Sequence, residues 1–158
     1  MVNKKFSETN IKRAGIRHEP QGWGISVNYG IVARACSWDD KVEVGDNVLE
    51  FDDFAKQLKA LSKRTGRDYS VVHFLCSEDC SVDHDLPEKE RLNAVCIVGV
   101  VVPSLMYYRD QSHDGLVKGK KLQEIVANSQ LIVNELKSLG FKDITTDDLY
   151  LHANAYDH

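Results

Sequence analysis

The sequence LNAVCIVGVVV at residues 92–102, directly before Pro103, gives the clearest evidence of the fold. Asn93 is its one polar residue, and valine and isoleucine dominate the rest. A strand with one face in water alternates polar and apolar residues, whereas a strand enclosed on both faces is almost continuously apolar. The run therefore predicts an interior strand of a sheet. It is far shorter than the roughly 20 residues of a membrane-spanning helix, so no membrane partner is expected.

A second strand is predicted upstream, where apolar residues alternate with others from residue 24 to residue 36. Val27 and Tyr29 fall on one face of this segment and their neighbours on the other, which is the period-two pattern of a half-buried strand. The next segment, residues 42–51, begins with a short strand and turns at Gly45. This segment is an excursion before the first helix.

The first helix is predicted between Phe51 and Gly66. Apolar residues at helical spacing form one stripe along it, namely Phe51, Phe54, Ala55, Leu58 and Leu61. Acidic residues in its first turn and basic residues in its last turn complement the helix dipole. Gly66 is placed to end the helix in the left-handed conformation that glycine tolerates.

The order of the predicted elements indicates the fold class. The later elements are a strand at residues 69–76, the strand at 92–102, a connector at 103–115, a long helix ended by Gly140 and a strand at 144–153. Strand, helix, strand, strand, helix, strand is the order of the split βαβ, or ferredoxin-like, α+β fold, in which two helices cover one face of an antiparallel sheet. We expect one such domain at residues 22–158, after a polar N-terminal extension at residues 1–21. Because strand 92–102 is apolar on both faces, the second sheet face should be covered by that extension or by another copy of the chain.

The composition narrows the class of partner and the compartment. The chain has 20 Lys and Arg against 24 Asp and Glu, a net charge of −4. Binding to a nucleic-acid backbone depends on a surplus of Lys and Arg, so a nucleic-acid partner is not expected. The four cysteines occur without a secretory signal pattern, which favours reduced thiols in the cytoplasm. At this length the chain needs no metal or disulfide in order to fold.

One cluster of residues has the chemistry of a metal site. His73, Cys76, Cys80 and His84 have the spacing H-x2-C-x3-C-x3-H, and thiolate and imidazole are zinc ligands. The alternative is that the first two are ordinary strand residues and the last two belong to an acidic loop at residues 77–91. The sequence leaves zinc as a candidate cofactor at this cluster.

A second cluster has the chemistry of an anion site. Glycines and lysines between residues 107 and 121 precede the long helix, and backbone N–H groups at a helix N-terminus attract anions. Trp23, beside two glycines, is a candidate stacking surface for a ring. The predicted ligand-binding residues are Trp23, Arg109, His113, Lys118, Lys120 and Lys121.

These features predict a homo-oligomeric protein that binds a small anionic, nucleotide-like molecule at loops near the strand ends. Two alternatives stay open. One is a small hydrolase or lyase with His113 or His152 as an acid–base group. The other is a protein–protein interaction module with the acidic loop at residues 77–91 as its docking surface.

Overall fold

The structure is a computed structural model, and it describes residues 23–36, 40–73, 85–87, 90, 92, 94–109 and 112–157. These residues form a mixed α+β fold with a curled antiparallel sheet. The strands are β1 (Trp23–Cys36), β2 (Lys41–Val44), β3 (Asn47–Glu50), β4 (Tyr69–His73), β5 (Ala94–Val101), β6 (Leu105–Arg109), β7 (Ser112–Leu116) and β8 (Tyr150–Asp157). The helices are α1 (Phe51–Thr65), α2 (Gly119–Ala127) and α3 (Ser129–Ser138), with a short 3-10 helix at Thr146–Asp148.

The run at residues 92–102 contains the interior strand that was predicted. β5 pairs antiparallel with β1 on one side and with β4 on the other, within the sheet order β3-β2-β1-β5-β4. The far side of β1 carries β8 along residues 23–30 and β2 at residues 35–36. The predicted excursion is the β2–β3 hairpin on that side.

The two faces of the sheet differ in how well they exclude water. The core face carries Tyr29, Cys96 and Val98, all buried. On the opposite face, called the second face below, Ile97 is buried, but Val32 is 48% exposed and Val95 is 40% exposed. The expectation that both faces of the strand are shielded from water is therefore correct for Ile97 and wrong for Val95. Residues 1–21, one predicted cover for the second face, lie outside the described residues.

The helices pack against the core face and complete one hydrophobic core. Phe54, Leu58 and Leu61 of α1 belong to the same buried cluster as Ile132 and Leu136 of α3. The prediction for α1 is confirmed, since Gly66 ends it with a φ of 76°. Within the described residues, no helix is both long and apolar enough to cross a bilayer.

Two glycines allow β1 and β5 to approach closely. Gly30 on β1 and Gly99 on β5 are cross-strand partners. A Cβ on Gly30 would lie 2.1 Å from the Val98 carbonyl oxygen, and a Cβ on Gly99 would lie 2.2 Å from the Tyr29 carbonyl oxygen. Each Cβ would therefore overlap the backbone of the neighbouring strand, so only glycine fits at this pair.

The connector predicted at residues 103–115 is wrong, because this segment contains an antiparallel hairpin. β6 and β7 pair from Leu105 with Leu116 to Arg109 with Ser112. The glycine and lysine content of the segment suggested a loop, while the β-forming residues at 105–108 favour a strand. The hairpin is a separate two-stranded sheet.

The single long helix is also wrong, because the chain breaks at Asn128 into α2 and α3. The Asn128 side-chain amide donates to the Glu124 carbonyl oxygen at 3.0 Å, and the Asn128 N–H bonds to the Ile125 carbonyl oxygen at 3.1 Å. Asparagine side chains compete with helical hydrogen bonds in this way. The apolar stripe runs through the break, so the spacing of the apolar residues did not predict that the helix is interrupted.

The last strand starts later than the predicted residue 144. Thr145 caps the 3-10 helix: its side chain accepts from the Asp147 N–H at 3.2 Å. The Asp148 carboxylate accepts from the Thr145 N–H at 2.7 Å. This reciprocal capping holds residues 146–148 in a helical turn and delays β8 to Tyr150.

Candidate anion-binding cleft

A cleft of about 210 Å³ opens where the C-terminal end of β5 meets α2 and the loop after α1. Its apolar part comes from β5 and the helices, and its polar part from the α1–β4 loop and α2. The lining residues are Gly66, Arg67, Asp68, Val100, Val101, Pro103, Lys121, Ile125, Asn128 and Ile132.

The α1–β4 loop is fixed on both sides by hydrogen bonds. The Thr65 hydroxyl accepts from the Arg67 N–H at 3.3 Å, and the Ser62 hydroxyl accepts from the Tyr69 N–H at 2.9 Å. The Asp68 carbonyl oxygen accepts from the Val101 N–H at 2.8 Å. The loop therefore forms a preformed wall of the cleft.

Arg67, in this wall, is held by an ion pair with α3. Its Nε donates to Glu135 Oε2 at 2.8 Å, and its Nη2 donates to Glu135 Oε1. The Tyr69 hydroxyl donates to the same carboxylate. We call Arg67, Tyr69 and Glu135 the clamp, because together they join the α1–β4 loop to α3. Their side chains are largely buried, with 25% of Arg67 and 11% of Glu135 exposed.

The clamp holds each of its groups in one protonation state. Burial by itself raises the pKa of Glu135, but the hydrogen bonds from Arg67 and Tyr69 outweigh burial, so that its pKa lies below the ordinary value. Burial, followed by the hydrogen bond to Glu135, raises the pKa of the Tyr69 hydroxyl. Glu135 is therefore ionised and Tyr69 neutral at physiological pH. The charge of Arg67 is largely offset by Glu135.

The first turn of α2 brings positive charge to the cleft. Lys118 precedes the helix, Lys120 and Lys121 lie in its first turn, and that turn contains no acidic residue. Lys121 lines the cleft, and its Nζ lies 3.8 Å from Glu124 Oε2, beyond hydrogen-bonding distance. The helix dipole and three lysines thus act in the same direction, toward an anion.

The other predicted ligand-binding residues are placed only by their backbones. Arg109 ends β6, and His113 lies on β7 opposite Tyr108. Trp23 begins β1, opposite Asp157 of β8. Their side chains lie outside the described part of the structure, so Lys121 is the one predicted ligand-binding residue that lines the cleft in the part of the chain that is described. Arg67 and Asn128 were not predicted from the sequence. Arg67 is positioned by a contact with a residue distant in sequence, and Asn128 lies at a helix break.

His152, a predicted acid–base residue, lies on β8 opposite Asn28 of β1. Asn28 is buried, and its Oδ1 accepts from the Ser70 hydroxyl at 2.8 Å. Ser70 reaches Asn28 across β5 at Gly99, where no side chain intervenes. Burial lowers the pKa of His152, which keeps its imidazole neutral at pH 7. This polar group lies on the second face and does not belong to the cleft.

The candidate zinc site lies almost entirely outside the described residues. His73 ends β4, and only its backbone is described, while Cys76, Cys80 and His84 fall in the undescribed segment 74–84. The acidic loop at residues 77–91 is described only at residues 85–87 and 90. Within the described ranges, no group of three or more His, Cys, Asp or Glu side chains is placed to hold a metal ion.

Comparison of the chain with protein-family models, with curated proteins and with solved structures found no significant match.

Proposed function

We propose that the protein is homo-oligomeric and binds a small anionic molecule in the cleft at the end of β5. The observation that carries this proposal is the position of Lys121, in the acid-free first turn of α2 and in the wall of a preformed, partly apolar cleft. Glu135 offsets Arg67 and Asp68 adds a carboxylate to the lining, so the attraction must come from Lys121, its neighbouring lysines and the helix N-terminus. Val100, Ile125 and Ile132 would contact an apolar part of the ligand.

The size of the cleft favours a compact ligand. Its volume of about 210 Å³ is below the roughly 300 Å³ at which sites for drug-sized ligands begin. A short-chain carboxylate, or a phosphate with a short apolar substituent, suits this volume better than a whole nucleotide. Of the nucleotide-like ligand expected from the sequence, we therefore retain only the anionic group.

Calorimetric titration and thermal shift with inorganic phosphate, butyrate and adenosine monophosphate test the proposal. Butyrate should stabilise the native state most, because a ligand that binds only this state raises its stability. Lys121→Gln should weaken binding about tenfold, or about 1.4 kcal/mol, a modest loss because the side chain is 48% exposed. Higher salt should weaken binding to the unsubstituted protein.

Lys59→Gln is the matched control, because Lys59 is an exposed lysine of α1 that does not line the cleft. It removes the same charge and should leave the affinity unchanged. If none of the three anions stabilises the protein, or if the two variants lose affinity equally, the proposed site is wrong.

A second candidate function is acid–base catalysis by His152. It is favoured by one observation, the lowered pKa, which keeps the imidazole in its basic form at neutral pH. Screening with a panel of ester and phosphoester substrates tests it. Turnover by the unsubstituted protein that is lost in both His152→Gln and His152→Ala would support catalysis. Turnover equal in both variants and the unsubstituted protein would exclude this role for His152. His113 and the acidic docking loop stay predictions.

Among the remaining predictions, the fold assignment alone has further support. The antiparallel order β8-β1-β5-β4, with helices between β1 and β4 and between β5 and β8, supports the ferredoxin-like assignment for the central elements. Zinc at His73, Cys76, Cys80 and His84 stays a prediction, which metal analysis of the purified protein would test. The cytoplasmic location likewise stays a prediction.

A further inference from the structure

The long edge of the sheet at β8 differs from the other sheet edges. Among the described residues, β8 pairs only with β1, so its outer side has no partner strand there. It is 8 residues long, whereas the edge strands β3 and β4 have 4 and 5 residues. Long unpaired edges are sites where another strand adds, and short edges are one way in which proteins prevent this.

β8 also exposes a large apolar side chain on each face at its start. Tyr150 lies opposite Gly30 on the second face and is 57% exposed, and Leu151 lies opposite Tyr29 on the core face and is 53% exposed. A strand added to this edge would bring its own side chains against both of them. The sequence of β8, YLHANAYD, has no Lys, Arg or Pro, the residues that usually protect an edge.

We propose that β8 pairs antiparallel with β8 of a second copy of this chain, across a twofold axis, so that the two sheets become continuous. An antiparallel pair of identical strands presents the same edge from both sides, which makes β8 complementary to itself. Its one carboxylate, Asp157, is at the end of the strand, so two copies meet without like charges along most of its length. Each edge is about 27 Å long at roughly 3.4 Å per residue.

This pairing gives the oligomer an interface that leaves the cleft open. The cleft lies at β5, α2 and the α1–β4 loop, and β8 lies on the other side of β1. The proposal therefore does not rest on anion binding. Lys121→Gln should leave the dimer intact, and a variant in β8 should leave butyrate binding intact.

Sedimentation velocity over a wide range of concentration tests the interface. The unsubstituted protein should be a dimer, and Leu151→Lys should weaken dimerisation at least tenfold, because each copy brings a charge to the strand pair. Leu131→Lys is the matched control, since Leu131 is a leucine of α3 with a comparable exposure of 42%. This variant should stay dimeric.

Hydrogen exchange gives a second measurement. Amides of residues 150–157 should exchange more slowly in the dimer than in Leu151→Lys, while amides of α1 should not differ, which also shows that the variant is folded. A monomeric unsubstituted protein would overturn the proposal. So would a dimer that Leu131→Lys dissociates and Leu151→Lys does not, or a dimer without added protection in β8.

Discussion

Replacing Glu135 by glutamine removes the charge at the centre of the clamp and keeps the shape of the side chain. The carboxylate accepts two hydrogen bonds from Arg67 and one from Tyr69, and it is 11% exposed. A glutamine has one acceptor oxygen, and its amide group would face donors. Arg67 would then be a largely buried cation without its counter-charge.

The expected cost is about 3 kcal/mol of the free energy of unfolding, the lower end of the range for removing one partner of a buried ion pair, since Arg67 is 25% exposed. For a chain of this size the melting temperature would fall by roughly 6–12 °C. Glu50→Gln is the matched control, because Glu50 pairs with Lys41 at 3.1 Å but is 56% exposed. An exposed pair of this kind contributes at most about 1 kcal/mol.

The dependence on pH provides the sharper measurement. Because the native pKa of Glu135 is lowered, its contribution is fully present above the ordinary value of 4.5 and is lost as the pH falls through the native pKa. Urea unfolding can be followed by far-ultraviolet circular dichroism at neutral and acidic pH. The free energies of unfolding of the unsubstituted protein and of Glu135→Gln should therefore converge in acid. The assigned role of Glu135 is wrong if Glu135→Gln costs no more stability than Glu50→Gln, or if that cost does not change with pH.

Three further predictions follow from packing and burial. Gly99→Ala should prevent folding or cost more than about 3 kcal/mol in urea unfolding, because its Cβ would meet backbone at 2.2 Å. Gly119→Ala, with open space around it, should be neutral or stabilise by up to about 1 kcal/mol, and equal effects of the two substitutions would contradict the steric role of Gly99. The pKa of the His152 ring, measured by NMR titration, should lie below its ordinary value of 6.5. The contribution of His152 to stability is then present above pH 6.5 and is lost as the pH falls through the native pKa. A measured pKa at or above 6.5 would contradict the burial of the ring. Burial raises the pKa of Cys96 to about 12, so peptide mass spectrometry should find it alkylated at pH 8 only after unfolding, and rapid labelling of the native protein would contradict this.

The elements predicted correctly from the sequence are those whose signal is local. β1 alternates with period two, α1 has an apolar stripe and a glycine stop, and β5 is continuously apolar. Each pattern reflects the environment of consecutive residues, so a single segment contains the information. The hairpin β6–β7 and the break at Asn128 were missed because local signals there conflict: glycines and lysines lie among β-forming residues, and the apolar stripe continues through the break.

The candidate site shows the same division. The lysines at the start of α2 were predicted from the sequence, since a helix N-terminus and its charges are neighbours along the chain. Arg67 and Glu135 are 68 positions apart, and no pattern in either segment indicates that they meet.

The buried segments and the concentration of positive charge could be predicted from the sequence, because burial period and local charge are properties of consecutive residues. The sequence did not predict that the α1–β4 loop, β5 and α2 enclose a cleft, that the clamp holds its wall, or that β8 lies at an edge. These features depend on contacts between distant segments, and such contacts form only when the whole sheet and its helices pack together.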